Sequence, residues 1–350
     1  MQNQPLTKKF FAAANSFNGF VSFFDCIFAS EDFSKIYVLK GGPGTGKSSL
    51  MRSVKENIIA NNLDVEEIYC SSDPNSLDAI IFRNNDKKIA IIDGTAPHER
   101  DAIIPGAIDT IINLADNLDI TWLSPQRDNI LKLNQEKKDA YKTAYSYLSV
   151  AGKCDEYITN VYEKAFDKIK AKNKAEELLS EITPSDNPEI KVRLISSFGK
   201  LGEYTLDTLK GISKSTISIF GDEICTKLLL DSFYDTLKRK HASFTRFVCP
   251  KRTSSTDALF IPDCSISVVR GITGEIDANT FITIKNNETE KIKVARSIKR
   301  EALEESKRWF NIAADLHFQL EDIYIRAMMF EKNNEIVQSI STEIKKILDL

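Results

Sequence analysis

The segment Gly41-Gly42-Pro43-Gly44-Thr45-Gly46-Lys47-Ser48 constrains this chain more than any other part of it. It satisfies the pattern GxxxxGK[ST] in full. It follows Ile36-Tyr37-Val38-Leu39, an apolar, β-branched and aromatic run suited to a buried strand. Behind it Leu50, Val54 and Ile58 recur every four residues with Met51 beside them, which is one apolar face of a helix. Strand, glycine loop and helix in this order predict an α/β fold of the P-loop NTPase kind, a parallel sheet flanked by helices.

The residue types match the chemistry of a polyphosphate. Backbone N–H groups reach phosphate oxygens only where side chains do not obstruct them, hence the glycines. The helix N-terminus adds unpaired donors and the positive end of a dipole. The expected cofactor is ATP or another nucleoside triphosphate with Mg2+, bound by Gly41, Gly42, Pro43, Gly44, Thr45, Gly46, Lys47, Ser48 and Ser49. Lys47 supplies a mobile charge for the β- and γ-phosphates, and the Ser48 hydroxyl is the expected magnesium ligand.

A second strand, Ile89-Ala90-Ile91-Ile92, ends in Asp93. A carboxylate at a sheet's carboxyl edge holds magnesium through water, so Asp93 is the metal-side acid. The competing reading is an Asp that starts the Gly94 turn. Val65-Glu66-Glu67-Ile68-Tyr69-Cys70 is a further strand, running into Ser71-Ser72-Asp73-Pro74. Asp73 either faces the γ-phosphate or forms that turn, and the turn is preferred. In the loop after Asp93, His98 and Glu99 are candidates for water activation and Arg100 for charge stabilisation. Lys47 and Asp93 complete the catalytic set. No acid follows Asp93 directly, which predicts slow hydrolysis.

A chain of 350 residues is long for one core, and two domains are expected. The polar, proline-marked segment Thr183-Pro184-Ser185-Asp186-Asn187-Pro188 divides residues 1–184 from 189–350. Residues 119–123 are expected as a strand. Beyond them, helical spacing over 130–151 and again over 155–182 predicts a helical hairpin on the first domain.

The second domain repeats the first. Residues 216–220 stand where 36–40 stood, and Gly221-Asp222-Glu223-Ile224-Cys225-Thr226-Lys227-Leu228 aligns with the glycine loop. Gly221 and Lys227 survive, Thr226 replaces the second signature glycine, and Leu228 replaces the magnesium serine. Asp257 falls at Asp78 and Arg270 at Asp93. Residues 309–324 parallel 147–162. The expectation is a tandem duplication whose second copy keeps the fold, with a helical hairpin of its own, and has lost catalysis. Arg270 is read as a drifted surface charge, or as an arginine reaching the first domain's nucleotide.

Net charge is −3, which leaves no electrostatic footprint for bulk nucleic acid. The basic runs Lys238-Arg239-Lys240 and Lys251-Arg252 are read as solvated faces. Six cysteines without a CxxC pair and three histidines argue against zinc and for free thiols. The start of the chain lacks a signal-peptide layout, and its most apolar early stretch, 17–28, is too short to span a membrane. A cytoplasmic protein is expected, with no membrane partner.

Phe10-Phe11-Ala12-Ala13-Ala14-Asn15, residues 40–51, Cys70-Ser71-Ser72-Asp73 and Asp93-Gly94-Thr95-Ala96-Pro97-His98 together resemble a poorly characterised family of tandem P-loop proteins from spore-forming Gram-positive bacteria, labelled ATPase or nucleotide kinase by motif. The resemblance covers nearly the whole chain. It implies a duplicated α/β P-loop fold and nucleotide binding at the first loop. The relatives tend to keep a recognisable second loop, and this chain does not. Three functions follow as expectations. The first is an ATPase coupling hydrolysis to a protein partner through its helical hairpins or second domain. The alternatives are a nucleotide or small-molecule kinase, and a non-hydrolysing switch or scaffold.

Overall fold

The computed structural model describes residues 7–58 and 63–350. The apolar run at Ile36 forms the strand β4, and the strands around it build a six-stranded mixed sheet. In chain order the first half comprises β1 (Thr7–Phe11), the hairpin β2 (Ala13–Ser16) and β3 (Gly19–Ser22), α1 (Phe24–Ile27), β4 (Lys35–Lys40) and α2 (Lys47–Ile58). It continues with β5 (Asp64–Tyr69), β6 (Leu77–Asn84), β7 (Lys87–Asp93), β8 (Asp109–Asn113), α3 (Ile120–Leu123), α4 (Arg127–Ala165) and α5 (Lys168–Leu178). The sheet order is β1-β5-β6-β7-β4-β8.

The sheet is mixed where a parallel one is expected from the loop signature. Strands β6 and β7 pair antiparallel, with Asn84 opposite Lys87. Only Asn85 and Asp86 connect them, and Asn85 adopts φ 51°. A two-residue link leaves no length for a crossover, so the pair must be a hairpin. The strands on either side of β4, namely β7 and β8, are parallel to it.

The second half has β9 (Ile190–Arg193), the hairpin β10 (Ser196–Gly199) and β11 (Gly202–Thr205), α6 (Thr208–Ile212), β12 (Ser215–Phe220) and α7 (Glu223–Arg239). Then come β13 (Phe244–Val248), β14 (Thr256–Ile261), β15 (Ile266–Arg270), β16 (Ile276–Asp277), α8 (Asn286–Ala327) and α9 (Phe330–Ile347). Its sheet, read from the other edge, runs β9-β13-β14-β15-β12-β16. Every neighbouring pair has the same sense as in the first half. Even the irregularity recurs: register shifts at Ile68/Tyr69 in one sheet and at Phe247/Val248 in the other. The molecule is therefore two similar α/β halves.

Three expectations are corrected. Residues 119–123 are not a strand: Asp119 accepts the N–H groups of Thr121 and Trp122 and so caps the short helix α3. The strand in that region is β8. The two helical runs of the first half are one helix, α4, unbroken through Gly152. That glycine is set by packing, since a Cβ there would lie 2.6 Å from Cβ of Phe17. The break falls at Phe166 and Asp167, where Asp167 caps α5 through the N–H of Lys170.

Nor do the helices make a hairpin on their own half. Helices α4 and α8 pair with each other along their length. Phe166 bridges to Ile282 at one end of the pair, and Leu118 to Met328 at the other. The final helices are exchanged. Ala171, Ala175 and Leu179 at α5 join the core of the second sheet with Leu229, Phe233 and Leu237 of α7. Val337, Ile340, Ile344 and Leu348 at α9 join the core of the first sheet with Leu50, Met51, Val54 and Ile58 of α2. The opposite faces of the two sheets share a further core, in which Phe10 stacks on Phe247 at 6.0 Å. Phe11 and Leu194 exchange both backbone hydrogen bonds where β1 meets the start of the second half. No helix among the described residues is long and apolar enough to cross a membrane.

Candidate functional site

The register of the first sheet brings the sequence-selected residues to one edge. Leu39 pairs with Asp93 and Lys40 with Asn113, so β4, β7 and β8 end together. The glycine loop leaves β4 at this edge, and the turn between β5 and β6 returns beside it. Gly41, Gly44 and Gly46 adopt φ of 151°, 71° and 85°, values that side-chain-bearing residues rarely adopt. The N–H groups of Gly44 and Gly46 have no hydrogen-bond partner among the described residues. Leu50 N–H reaches Gly46 O at 2.8 Å. The amides of Lys47, Ser48 and Ser49 thus form the open donor end of α2.

Lys47 lies at the centre of this edge. Its Nζ donates to the carbonyls of Gly41 (3.1 Å) and Gly42 (2.9 Å) and stands 3.6 Å from Asp93. Asp93 Oδ1 accepts the Thr95 N–H (2.9 Å) and hydroxyl (2.5 Å). Burial raises the Asp93 pKa, and Lys47 and Thr95 only partly offset this. The Ser48 hydroxyl accepts the N–H of Leu77 at 3.0 Å, which leaves it a lone pair. Magnesium keeps several waters and takes one or two protein oxygens besides phosphate, so Ser48 and Asp93 are a fitting donor set. Among the described residues no cluster of three or more His, Cys, Asp or Glu could hold a metal ion by itself.

The remaining candidates separate. His98 is buried, stacked on Phe24 at 4.5 Å, and its Nε2 lies 3.0 Å from Asp78. Burial works against its protonated form, but Asp78 and Asp93 outweigh burial and raise its pKa. Its Nδ1 is buried without a hydrogen-bond partner among the described residues. Glu99 is exposed and makes no ion pair among the described residues. Arg100 is buried and committed to Phe28 O (2.5 Å), Ser30 (2.9 Å) and Asp109 (3.5 Å), which replaces its expected role at the phosphates with a structural one. Asp73 accepts the Asn75 N–H, as a turn-former does, and pairs with Lys200 of the second half at 2.8 Å.

The residues that cover the outer side of the loop were not picked out from the sequence. A Cβ on Gly44 would lie 2.6 Å from the carbonyl oxygen of Glu321, and one on Gly42 3.3 Å from the Tyr324 ring. A Cβ on Gly46 would lie 3.2 Å from Phe330. Asn333 donates to Thr45 O (3.1 Å) and accepts from Asn117 (3.1 Å). All four residues belong to α8 and α9. The glycines are therefore required twice, by the open amides on one side and by the second half's helices on the other. The signal that could have found Tyr324 was the internal repeat, in which it matches Tyr162.

In the second half the corresponding edge is filled. Helix α7 begins at Glu223, so helix replaces the loop. Asp222 caps it through the N–H of Ile224 and pairs with Arg296. Glu223 meets Lys227 (2.8 Å), Lys299 (3.2 Å) and Lys251 (3.8 Å). Lys251 also meets Glu203 (2.6 Å), and Arg252 and Lys299 meet Asp155. Lys251 and Arg252 thus belong to an ionic network and not to a solvated face. Arg270 is bound there too, to Asp257 (3.2 Å) and Glu203 (3.4 Å), which corrects both readings of it. No family model matches this chain, and neither does any curated protein or any solved structure.

Proposed function

We propose that the chain binds a nucleoside triphosphate, ATP or a relative, with Mg2+ at residues 41–49, and hydrolyses it slowly to move a protein partner. In this reading the P-loop NTPase unit is present twice by tandem duplication, and the second copy has lost its chemistry. The observation that carries it is the edge itself: unpaired amides at positive-φ glycines, the open end of α2, Lys47, Ser48 and Asp93, all within one loop system.

Each group has a role in this reading. The loop amides bind the polyphosphate, and Lys47 exchanges the Gly41 and Gly42 carbonyls for phosphate oxygens. Ser48 and Asp93 hold magnesium, which when bound neutralises phosphate charge. The exposed Glu99 is the freer of the two candidates for orienting water, because the His98 ring is stacked and tied to Asp78. With one of its two water-activating candidates so committed and no acid following Asp93, turnover is slow.

The arginines weigh against a kinase. Arg83 faces Glu66 at 3.7 Å, Arg100 is buried, and Arg127 pairs with its neighbour Asp128 on the surface, so no arginine-rich lid forms over the loop from them. The filled second edge favours a switch or scaffold as the alternative, because it fixes a conformation without a ligand.

Steady-state hydrolysis and binding of Mg-ATP and Mg-GTP, with wild type beside Lys47→Ala, tests the proposal. The variant is expected to lose turnover and at least about tenfold in affinity, as loss of a charge-assisted contact implies. Tight binding without turnover in wild type moves the reading to the switch. No binding by wild type ends it.

A further inference from the structure

The two halves keep a lysine at two matching points, Lys47 with Lys227 and Lys137 with Lys299, and differ in the carboxylates beside them. In the second half Glu223 gathers Lys227, Lys299 and Lys251 around one carboxylate. Burial alone would raise its pKa, but the three cations hold it well below the usual range. Glu223 lies three residues past the end of β12, as Pro43 lies three past the end of β4 (223 − 220; 43 − 40). Lys227 and Lys47 both lie seven past (227 − 220; 47 − 40). A carboxylate of the chain thus occupies the place that the first half leaves to its loop.

Lys299 comes from α8, and its counterpart on α4 is Lys137. Each lies 29 positions before the bridging residue that follows its helix (328 − 299; 166 − 137). A pair of tyrosines checks the match. Tyr324 and Tyr162 each lie four positions before the same bridges (328 − 324; 166 − 162). Tyr324 lies against Gly42, while Tyr162 shares Arg296 with Asp222, the residue that matches Gly42.

The acids that satisfy Lys299 have no counterparts beside Lys137. Pro43 stands for Glu223, and His317 stands for Asp155, the other carboxylate on Lys299 (2.6 Å). Lys137 is half-buried and makes no hydrogen bond or ion pair among the described residues. Burial lowers its pKa, and Glu321 acts against that. Glu321 is also the residue whose carbonyl covers Gly44, which places Lys137 in the surroundings of the loop.

We propose that Lys137 is a second cationic contact for the phosphates at the first half's loop, delivered by the long helix α4. The proposal rests on the nucleotide reading of that loop. Its ligand is the triphosphate moiety, for which Glu223 is the second half's own tethered counterpart.

The test is calorimetric titration of the full chain with Mg-ATP, Mg-GTP and inorganic tripolyphosphate. Lys137→Gln is expected to weaken binding of triphosphates about tenfold or more, with the melting temperature of the free protein unchanged. Lys137→Arg is expected to restore most of the affinity, and Lys138→Gln, an exposed neighbour, to change nothing. His317→Asp, which returns the missing acid to Lys137, is expected to weaken binding as well, and reads the proposal even if Lys137→Gln folds poorly. If Lys47→Ala abolishes binding while Lys137→Gln and His317→Asp bind like wild type, Lys137 has no such role and the loop reading stands. If wild type binds no polyphosphate, both fall.

Discussion

Lys47 and Lys227 stand at matching points and have opposite surroundings. Lys47 rests on two carbonyls and one carboxylate, all of which a phosphate can displace. Lys227 is buried against Glu223, and removing Glu223 would strand its charge. The residue-scale prediction concerns His98. Its folded pKa is raised, so the Asp78 pair contributes stability that is fully present below the unfolded value of about 6.5. That contribution is lost as pH rises through the higher folded value. Thermal melts of wild type and Asp78→Asn should differ most at about pH 5 to 6, with the gap closing towards pH 9. A gap that grows with pH contradicts the assignment. At this scale the sequence was informative where chemistry is local. Gly41 to Ser48 stood out because their spacing is short, and Asp93 because it ends an apolar strand. Asn333 and Tyr324 were not picked out, because more than 280 residues separate them from the loop positions they meet (333 − 45; 324 − 42).

The helices show where pattern reading succeeds and fails. The face of Leu50, Met51, Val54 and Ile58 was legible, and all four are buried. What buries them was not: α9 supplies Val337, Ile340, Ile344 and Leu348 to the same core. Ile344→Ala is expected to cost about 2–5 kcal/mol, read from the denaturant midpoint. Hydrogen exchange should then quicken in α2 and β4 before β12. Equal loss in both sheets would contradict the exchanged packing. Strand β6 went unread because its hydrophobic run is flanked by charge, and β8 because only Ile111 and Ile112 mark it, with Ile111 exposed on an edge strand. The competing segment 119–123 is richer in β-formers, but one capping aspartate decides it for helix.

For the whole molecule, the exchange of α5 and α9 means that neither half owns its complete core. Residues 1–184 and 189–350 expressed separately are expected to be insoluble or unfolded, and to recover a stable complex when co-expressed. Size-exclusion chromatography and circular dichroism would read this. A first half that melts cooperatively by itself would refute it. The similarity of the halves was legible from repeated motifs. The exchange was invisible, because a helix's apolar face does not state which sheet it covers.

The position of α9 also bears on how the chain is made. Its residues, 330–347, are synthesised more than 270 residues after α2, residues 47–58, which they cover (330 − 58). The nascent first sheet therefore waits with an apolar face open while the intervening residues are translated. Such long-range closure folds slowly and leaves sticky intermediates. The first half, which carries the candidate chemistry, can mature only after α9 has left the ribosome.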